Sequence, residues 1–361
     1  MQKKISRKPN RKSIIRTDHT RHQNETVEHS RQRFSTEIKR DSAQVREKAT
    51  GRGRVVGTSG VHWLVADDGT REDVVGEYTK VRECHVGGIV VSDNDDDTLV
   101  CVGDYVHFSA PHDDTRHGVI VEVEKRTGRL LRKTAGERSS LQCLASNVEQ
   151  CVIVQSAAEP FYNRRLIDRY LIAIEHGAMK PLLLVNKIEL MVRSAVEEDL
   201  HCYVELGIPI VYCSCKTGEG LDDVQRMLAG KTAMLAGPSG VGKSSLINAC
   251  FEVDLQRVRE ISSKYDKGKH TTTGARIFGL AGGGCLVDTP GIREFAVSDV
   301  HIDDLSYYFH DFDAYYQECK YLPCSHTHEP GCAVTHAVSE GLIDAGRYDS
   351  YVRIRESMMH T

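Results

Sequence analysis

Nine consecutive residues carry the strongest chemical signal in the chain: Gly237, Pro238, Ser239, Gly240, Val241, Gly242, Lys243, Ser244 and Ser245. Their spacing, G-x-x-x-x-G-K-[ST], is that of a phosphate-cradling loop. The glycines let backbone N–H groups turn inward around phosphate oxygens. Lys243 is set to place its ammonium on the β- and γ-phosphates, and Ser244 to ligate Mg²⁺. A strand predicted over 232–236 and a helix over 243–250 supply the context the motif requires. The helix N-terminus adds a favourable positive end, worth about 0.3–1 kcal/mol at an exposed site. About fifty residues later, Cys285-Leu-Val-Asp288 reads as an apolar strand ending in an acid. Asp288 beside a phosphate loop can hold Mg²⁺, and Gly291 can offer its N–H to a γ-phosphate.

A second constellation asks for a metal. Cys319-x₄-Cys324-x-His326-x₅-Cys332 supplies three thiolates and one imidazole. Four protein ligands make a closed, structural Zn²⁺ site with no open catalytic position. Such an ion contributes folding energy that a small helical tail lacks. His328 and His336 stand as alternative ligands.

Two further loops bear on a base. Asn186, Lys187, Ile188 and Glu189 follow the apolar run Leu183-Leu-Val185 and resemble the guanine-specificity loop Asn-Lys-x-Asp of GTP-binding proteins. There the acid accepts N1–H and N2–H₂ of guanine, a donor pair that adenine lacks. Ser214, Cys215 and Lys216, after the next strand, resemble the companion Ser-Ala-Lys loop. Glu189 stands where the pattern has Asp, one methylene longer, so the loop must retreat to keep hydrogen-bond lengths. GTP is still expected over ATP, with a narrower margin. In ordinary GTPases both loops follow the phosphate loop; here they precede it. A cyclic shift of this kind leaves the sheet unchanged and moves the chain ends. The segment after Asp288 then runs straight into the carboxy-terminal region, a candidate readout of nucleotide state.

Repeated strand–helix alternation from Cys151 positions these loops. Strands are expected at 151–155, 182–185 and 209–212, and helices at 165–175, 194–206 and 221–228. Together they imply a parallel sheet covered on both faces. Ligands bind at the carboxyl ends of such strands. Before it, short runs at 54–58, 62–66, 88–92, 105–109 and 118–124 are separated by Asp-rich turns and suit a small OB-fold barrel. Helices at 302–309, 336–340 and 348–358 are expected around the Cys/His knot. The fold class is thus multidomain. It runs from a basic extension (1–50) read as disordered in isolation, through an all-β OB-fold barrel (51–137), to an α/β circularly permuted P-loop GTPase domain (138–300). A small α-helical zinc domain (301–361) ends the chain.

The chain has 361 residues, enough for two or three domains. No run approaches eighteen apolar residues, so a membrane span is excluded. The first thirty residues have no apolar core, which argues against a secretory signal. The cysteines outside the knot are expected to be reduced core residues in a cytoplasmic protein. Net charge is −4, yet residues 1–50 hold 14 Lys+Arg against 6 Asp+Glu, so the rest carries −12. A basic arm on an acidic body seeks a polyanion, most often nucleic acid. Residues 51–137 hold 11 Lys+Arg against 16 Asp+Glu, which turns the barrel toward protein contact. Arg52, Arg54, Arg82 and Arg116 remain available to RNA.

The permuted order, Gly268-Lys-His-Thr-Thr-Thr273, Asp288-Thr-Pro-Gly-Ile-Arg-Glu-Phe295 and the Cys/His knot together resemble the bacterial ribosome small subunit-dependent GTPase A (RsgA) family, over roughly residues 51–358. The resemblance implies a GTPase that binds the small ribosomal subunit and its rRNA, acts in late maturation, and hydrolyses GTP to GDP and phosphate with stimulation by the subunit. It implies Zn²⁺ on Cys319, Cys324, His326 and Cys332. Mg²⁺ would sit on Ser244, Asp288 and Thr272, with Thr271 or Thr273 left open. A monomer is expected. Ile292 occupies the place where many GTPases orient water with Gln, and Ile cannot hydrogen-bond. His270 is the nearest candidate for that role, its neutral imidazole accepting a proton; alternatively His270 only packs or meets rRNA. The competing reading is a ribosome-binding module with a passive guanine-nucleotide switch.

Overall fold

The computed structural model of the chain describes residues 13–16, 49–69, 78, 81–92, 94, 98–111, 115–133, 141–251, 275–280, 283–288 and 300–359. Strands β2 (Gly51–Ser59), β3 (His62–Asp67), β4 (Val81–Ser92), β5 (Tyr105–Ser109) and β6 (His117–Val123) form a closed barrel. Their inward residues, among them Val55, Val65, Val106 and Ile120, are fully buried, as period-two strands require. Closure comes from the parallel pairing of β4 with β6. β4 is longer than the run at 88–92 suggested, because its first part is needed to pair with β3. A further strand, β1 (Ser13–Arg16), pairs antiparallel with the end of β4. A hairpin of β7 (Arg129–Lys133) and β8 (Leu141–Ser146) follows the barrel. It has no counterpart in the sequence reading.

The second sheet has six strands in the order β11-β10-β9-β12-β14-β13. They are β9 (Gln150–Ser156), β10 (Lys180–Asn186), β11 (Ile210–Tyr212), β12 (Thr232–Ala236), β13 (Arg276–Gly279) and β14 (Cys285–Asp288). All neighbours are parallel except β13 against β14. β9 is buried along its whole length, as expected of a central parallel strand covered on both faces. Its Ile153 faces the side holding α1 (Arg164–His176), while Val154 faces the side of α4 (Leu221–Leu228) and α5 (Lys243–Phe251). The helix expected over 194–206 is broken at fully buried Leu200 into α2 (Arg193–Asp199) and α3 (His201–Glu205).

The barrel meets this sheet at the amino ends of its strands. Arg54 donates to Thr232 Oγ1 at 3.1 Å and to the Asn147 carbonyl at 3.3 Å. The Tyr78 hydroxyl lies 3.4 Å from Cys285 Sγ. Thr232 and Cys285 open β12 and β14, and Gly57 of the barrel lies against Arg276, the cross-strand partner of Asp288.

The carboxy-terminal unit has its own core around Phe309, Phe312, Tyr351 and Ile354. Residues Ile302–Tyr308 coil as a 3₁₀ helix, where the sequence suggested a helix without fixing its type. α6 (Ala333–Ser339) and α7 (Ala345–Met359) complete it. No helix among the described residues is long and apolar enough to cross a membrane. All twelve cysteines are outside disulfides.

Candidate functional site

The glycine-rich loop joins β12 to α5 at the carboxyl end of the sheet. Gly237 has φ +150°, and a Cβ there would lie 2.2 Å from the Val154 carbonyl oxygen of the neighbouring strand. Only glycine lets the loop pass so close to β9. Buried Val241 anchors the turn, while Ser239, Gly240 and Ser245 are exposed and Pro238, Gly242, Lys243 and Ser244 half-buried. Lys243 Nζ donates to the carbonyls of Gly237 and Pro238, each at 2.7 Å. The ammonium therefore spans the mouth of the loop from the first turn of α5.

Asn186 ends β10 and is buried. Its Nδ2 donates to the Val241 carbonyl at 2.9 Å, and its Oδ1 accepts the Cys215 N–H at 3.2 Å. One side chain thus ties the loop after β10, the loop after β11 and the phosphate loop together. Gly242 makes room for it, since a Cβ there would meet Asn186 Nδ2 at 2.4 Å. Lys187 takes a left-handed turn, φ +59°. Ile188 is buried, with its N–H on the Cys213 carbonyl at 3.2 Å. That contact leaves Glu189 exposed on the single 3₁₀ turn Ile188–Leu190. Burial raises the Cys215 thiol; a hydrogen bond with Asn186 opposes this and the charge of Glu189 adds to it. The loops after β10 and β11 therefore face each other. Ser214 is buried, and its Oγ accepts the Thr217 N–H at 3.0 Å, fixing the turn that exposes Lys216.

The segment 157–163, after β9, was not singled out by sequence. It lies between the two nucleotide loops. Lys187 Nζ donates to the Glu159 carbonyl. Ser156 Oγ donates to the Pro160 carbonyl at 2.5 Å. Pro160 Cδ stands 3.5 Å from where a Cβ of Gly240 would be. The available signal was its place at the carboxyl end of the central strand, where open α/β sheets hold ligands.

Asp288 ends β14, the strand paired with β12 on the phosphate-loop side. It is half-buried. His270, Thr271, Thr272, Thr273, Gly291 and Ile292 lie outside the described residues, as does most of the 1–50 extension.

In the carboxy-terminal unit Cys319, Cys324, His326 and Cys332 are all buried, and their ligand atoms lie within 4.8 Å of one another. His326 turns Nδ1 toward the sulfurs, 3.6 Å from Cys319 Sγ and 3.4 Å from Cys332 Sγ. Its ring packs edge-on against Phe312 and Tyr316. A left-handed backbone at His326, φ +56°, aims the imidazole inward. His328 and His336 are exposed and outside the cluster, which leaves His326 as its histidine. The Tyr348 and Tyr351 hydroxyls hold the carbonyls of His326 and Ser325 at 2.8 and 2.7 Å. This buried Cys₃His set can hold a metal ion.

The family model described as RsgA GTPase matches residues 123–298. A small ribosomal subunit biogenesis GTPase RsgA from Chlorobaculum parvum is 41% identical over 289 residues, covering 78% of this chain and 93% of the relative. The crystal structure of YjeQ from Thermotoga maritima superposes with a TM-score of 0.66 at 29% identity, over 86% of this chain and 99% of that one. YloQ, described as a circularly permuted GTPase, superposes with a TM-score of 0.63 at 27% identity, over 86% and 95%.

Proposed function

The chain belongs to the RsgA GTPase family, and from that premise we propose that it hydrolyses GTP in this pocket during biogenesis of the small ribosomal subunit. The observation that carries the pocket is Asn186, which binds the loops after β10, β11 and β12 into one surface. Small-subunit biogenesis is the role printed for the Chlorobaculum parvum relative.

In this reading the backbone of Gly237–Ser245 and the Lys243 ammonium hold the phosphates. Asn186, Lys187, Ile188 and Glu189, with Ser214, Cys215 and Lys216, surround guanine. Ser244, Asp288 and Thr272 would hold Mg²⁺, which would supply neutralisation of phosphate charge. Water attacks the γ-phosphorus as its bond to GDP breaks. Positioning and charge neutralisation dominate such a transfer. His270 is assigned to accept the water's proton, in place of the glutamine that Ile292 displaces, and Gly291 to hydrogen-bond the γ-phosphate.

We assign Zn²⁺ to the Cys₃His set. A tetrahedral ion with Zn–S of about 2.3 Å and Zn–N of about 2.0–2.1 Å implies ligand separations of roughly 3.8 Å between sulfurs and roughly 3.5 Å from sulfur to nitrogen. The Cys319–Cys332 sulfur separation of 3.9 Å and the His326 distances above support that fit. The protein acts as a cytoplasmic monomer that meets rRNA on the small subunit.

The test is phosphate release from GTP with and without purified small subunits. Acceleration by the subunits is expected. Tight GTP binding without acceleration would favour the passive switch instead.

A further inference from the structure

A second set of contacts links the nucleotide loops to the Cys₃His site, and it does not run through the segment after Asp288. It starts where Lys187 and Gly240 meet the 157–163 loop. That loop leads directly into α1, whose first turn is capped by Asn163 accepting the Leu166 N–H at 3.1 Å. α1 is the platform for the carboxy-terminal unit. Buried Asp168 on α1 accepts from Arg347 Nη1 on α7 and from the Tyr203 hydroxyl at 2.9 Å. Arg347 also reaches Asp311 at 2.9 Å. Arg164 pairs with Asp344, and Glu175 lies 3.0 Å from His310. Beside these polar contacts, α1 gives Ile172 to the unit's apolar core. The next residues along α7 after Arg347 then hold the metal site. Tyr348 and Tyr351 bind the carbonyls of His326 and Ser325.

We propose that the Asp168–Arg347 pair couples guanine-nucleotide binding to metal retention, with α1 as the link and both residues in positioning roles. The inference rests on the pocket assigned above. Three features support it. The contacts are continuous from Lys187 to the backbone of His326. The α1 face carries several ion pairs beside Ile172, and polar interfaces between units allow relative motion. A buried charge pair is also sensitive to geometry, because either partner left alone is strongly penalised. Coupling of two sites is reciprocal, so occupancy of the nucleotide pocket must alter the stability of the metal site if the link is real.

The test uses the full chain loaded with Zn²⁺, and follows transfer of zinc to a chromogenic chelator with and without saturating GDP. GDP binding is measured in the same samples. In the unaltered protein GDP should reduce the zinc transferred at equilibrium, raising the apparent zinc affinity about fivefold or more, the lower range of ordinary coupling. In the double variant Asp168→Asn with Arg347→Met, which removes both charges together, the factor should fall toward one while GDP still binds. Ser156→Ala cuts the link at its other end, by removing the bond to Pro160, and should also reduce the factor. It keeps the proposal testable if the double variant fails to fold. Equilibrium zinc transfer indifferent to bound GDP in the unaltered protein, or an undiminished factor in both variants, would overturn the coupling. Failure of the unaltered protein to bind GDP would overturn the pocket itself, and the coupling with it.

Discussion

Asn186 Nδ2 lies 2.9 Å from the Val241 carbonyl oxygen, although 55 positions separate the two residues along the chain. The bond is short because Gly242 has no side chain to obstruct it. Asn186→Ala leaves the Val241 carbonyl and the Cys215 N–H without their partner, at a cost of about 1–3 kcal/mol. GDP affinity should fall roughly five- to hundredfold in titrations with a fluorescent nucleotide. Gly242→Ala should do at least as much, since φ +95° strains any L-residue. Unchanged affinity in both would separate the base loop from the phosphate loop.

Glu189 tests base reading. It is exposed on the 3₁₀ turn that follows Lys187. Glu189→Gln replaces the paired acceptor by an amide, and charged hydrogen bonds are worth about 1.5–3 kcal/mol. Preference for GTP over ATP in competition assays should narrow by about ten- to a hundredfold. Equal competition by ATP in the unaltered protein would remove the guanine assignment.

His270→Ala should lower subunit-stimulated kcat while sparing GTP affinity. An unchanged kcat would clear His270 of a role in hydrolysis. Lys243→Ala, by contrast, should weaken nucleotide binding itself, because the ammonium spans the mouth of the phosphate loop.

Removal of the metal should act first on the carboxy-terminal unit. Structural zinc contributes roughly 10–16 kcal/mol of apparent binding energy to small domains. Prolonged chelation, or Cys332→Ser, should open the carboxy-terminal unit to trypsin at Arg353 and Arg355 and, by the reciprocal coupling, weaken GDP binding about fivefold without abolishing it. His328→Ala and His336→Ala should retain the ion. Protection of the unit after complete metal removal would contradict a structural role.

His310 makes the docking of that unit depend on pH. Its imidazole sits between Glu175 at 3.0 Å and Asp313 at 3.1 Å. Burial opposes its charge, but hydrogen bonds to Asp313 and Glu175 outweigh burial and raise the group above its ordinary value. A raised value in the docked state means the contribution is full below the unfolded value of about 6.5 and is lost as pH rises through the docked one. The group is half-exposed, so the effect stays below about 1 kcal/mol and weakens with salt. The melting midpoint of the unit should fall modestly from about pH 6 to pH 8, and His310→Gln should flatten that slope.

Much of this arrangement was legible in the residues. The phosphate loop, its strand and its helix are local, because glycine spacing and apolar periodicity act within a dozen positions. The Cys/His set was equally local, and geometry was needed only to choose His326 over its neighbours. What stayed hidden depends on distant chain. The hairpin of β7 and β8 carries no strong alternation, and its pairing becomes favourable only where the barrel and the sheet meet. The break at fully buried Leu200 is announced by no helical period. The role of Glu159 and Pro160 came from the register of β9 against β10 and β12, which a linear reading cannot supply.

The all-buried strand β9 is both the middle of the nucleotide sheet and the first of its strands in the chain. A ribosome making this protein therefore releases the sheet's centre before its flanks. β10 and β11 can zip onto one edge of that nucleus, and β12, then the β13–β14 pair, onto the other. β13, made just before β14, joins the sheet only through it. The half bearing the loops after β10 and β11 is complete while the half bearing the glycine-rich loop is still being synthesised, so the finished cleft closes only when the last-made parallel strand docks.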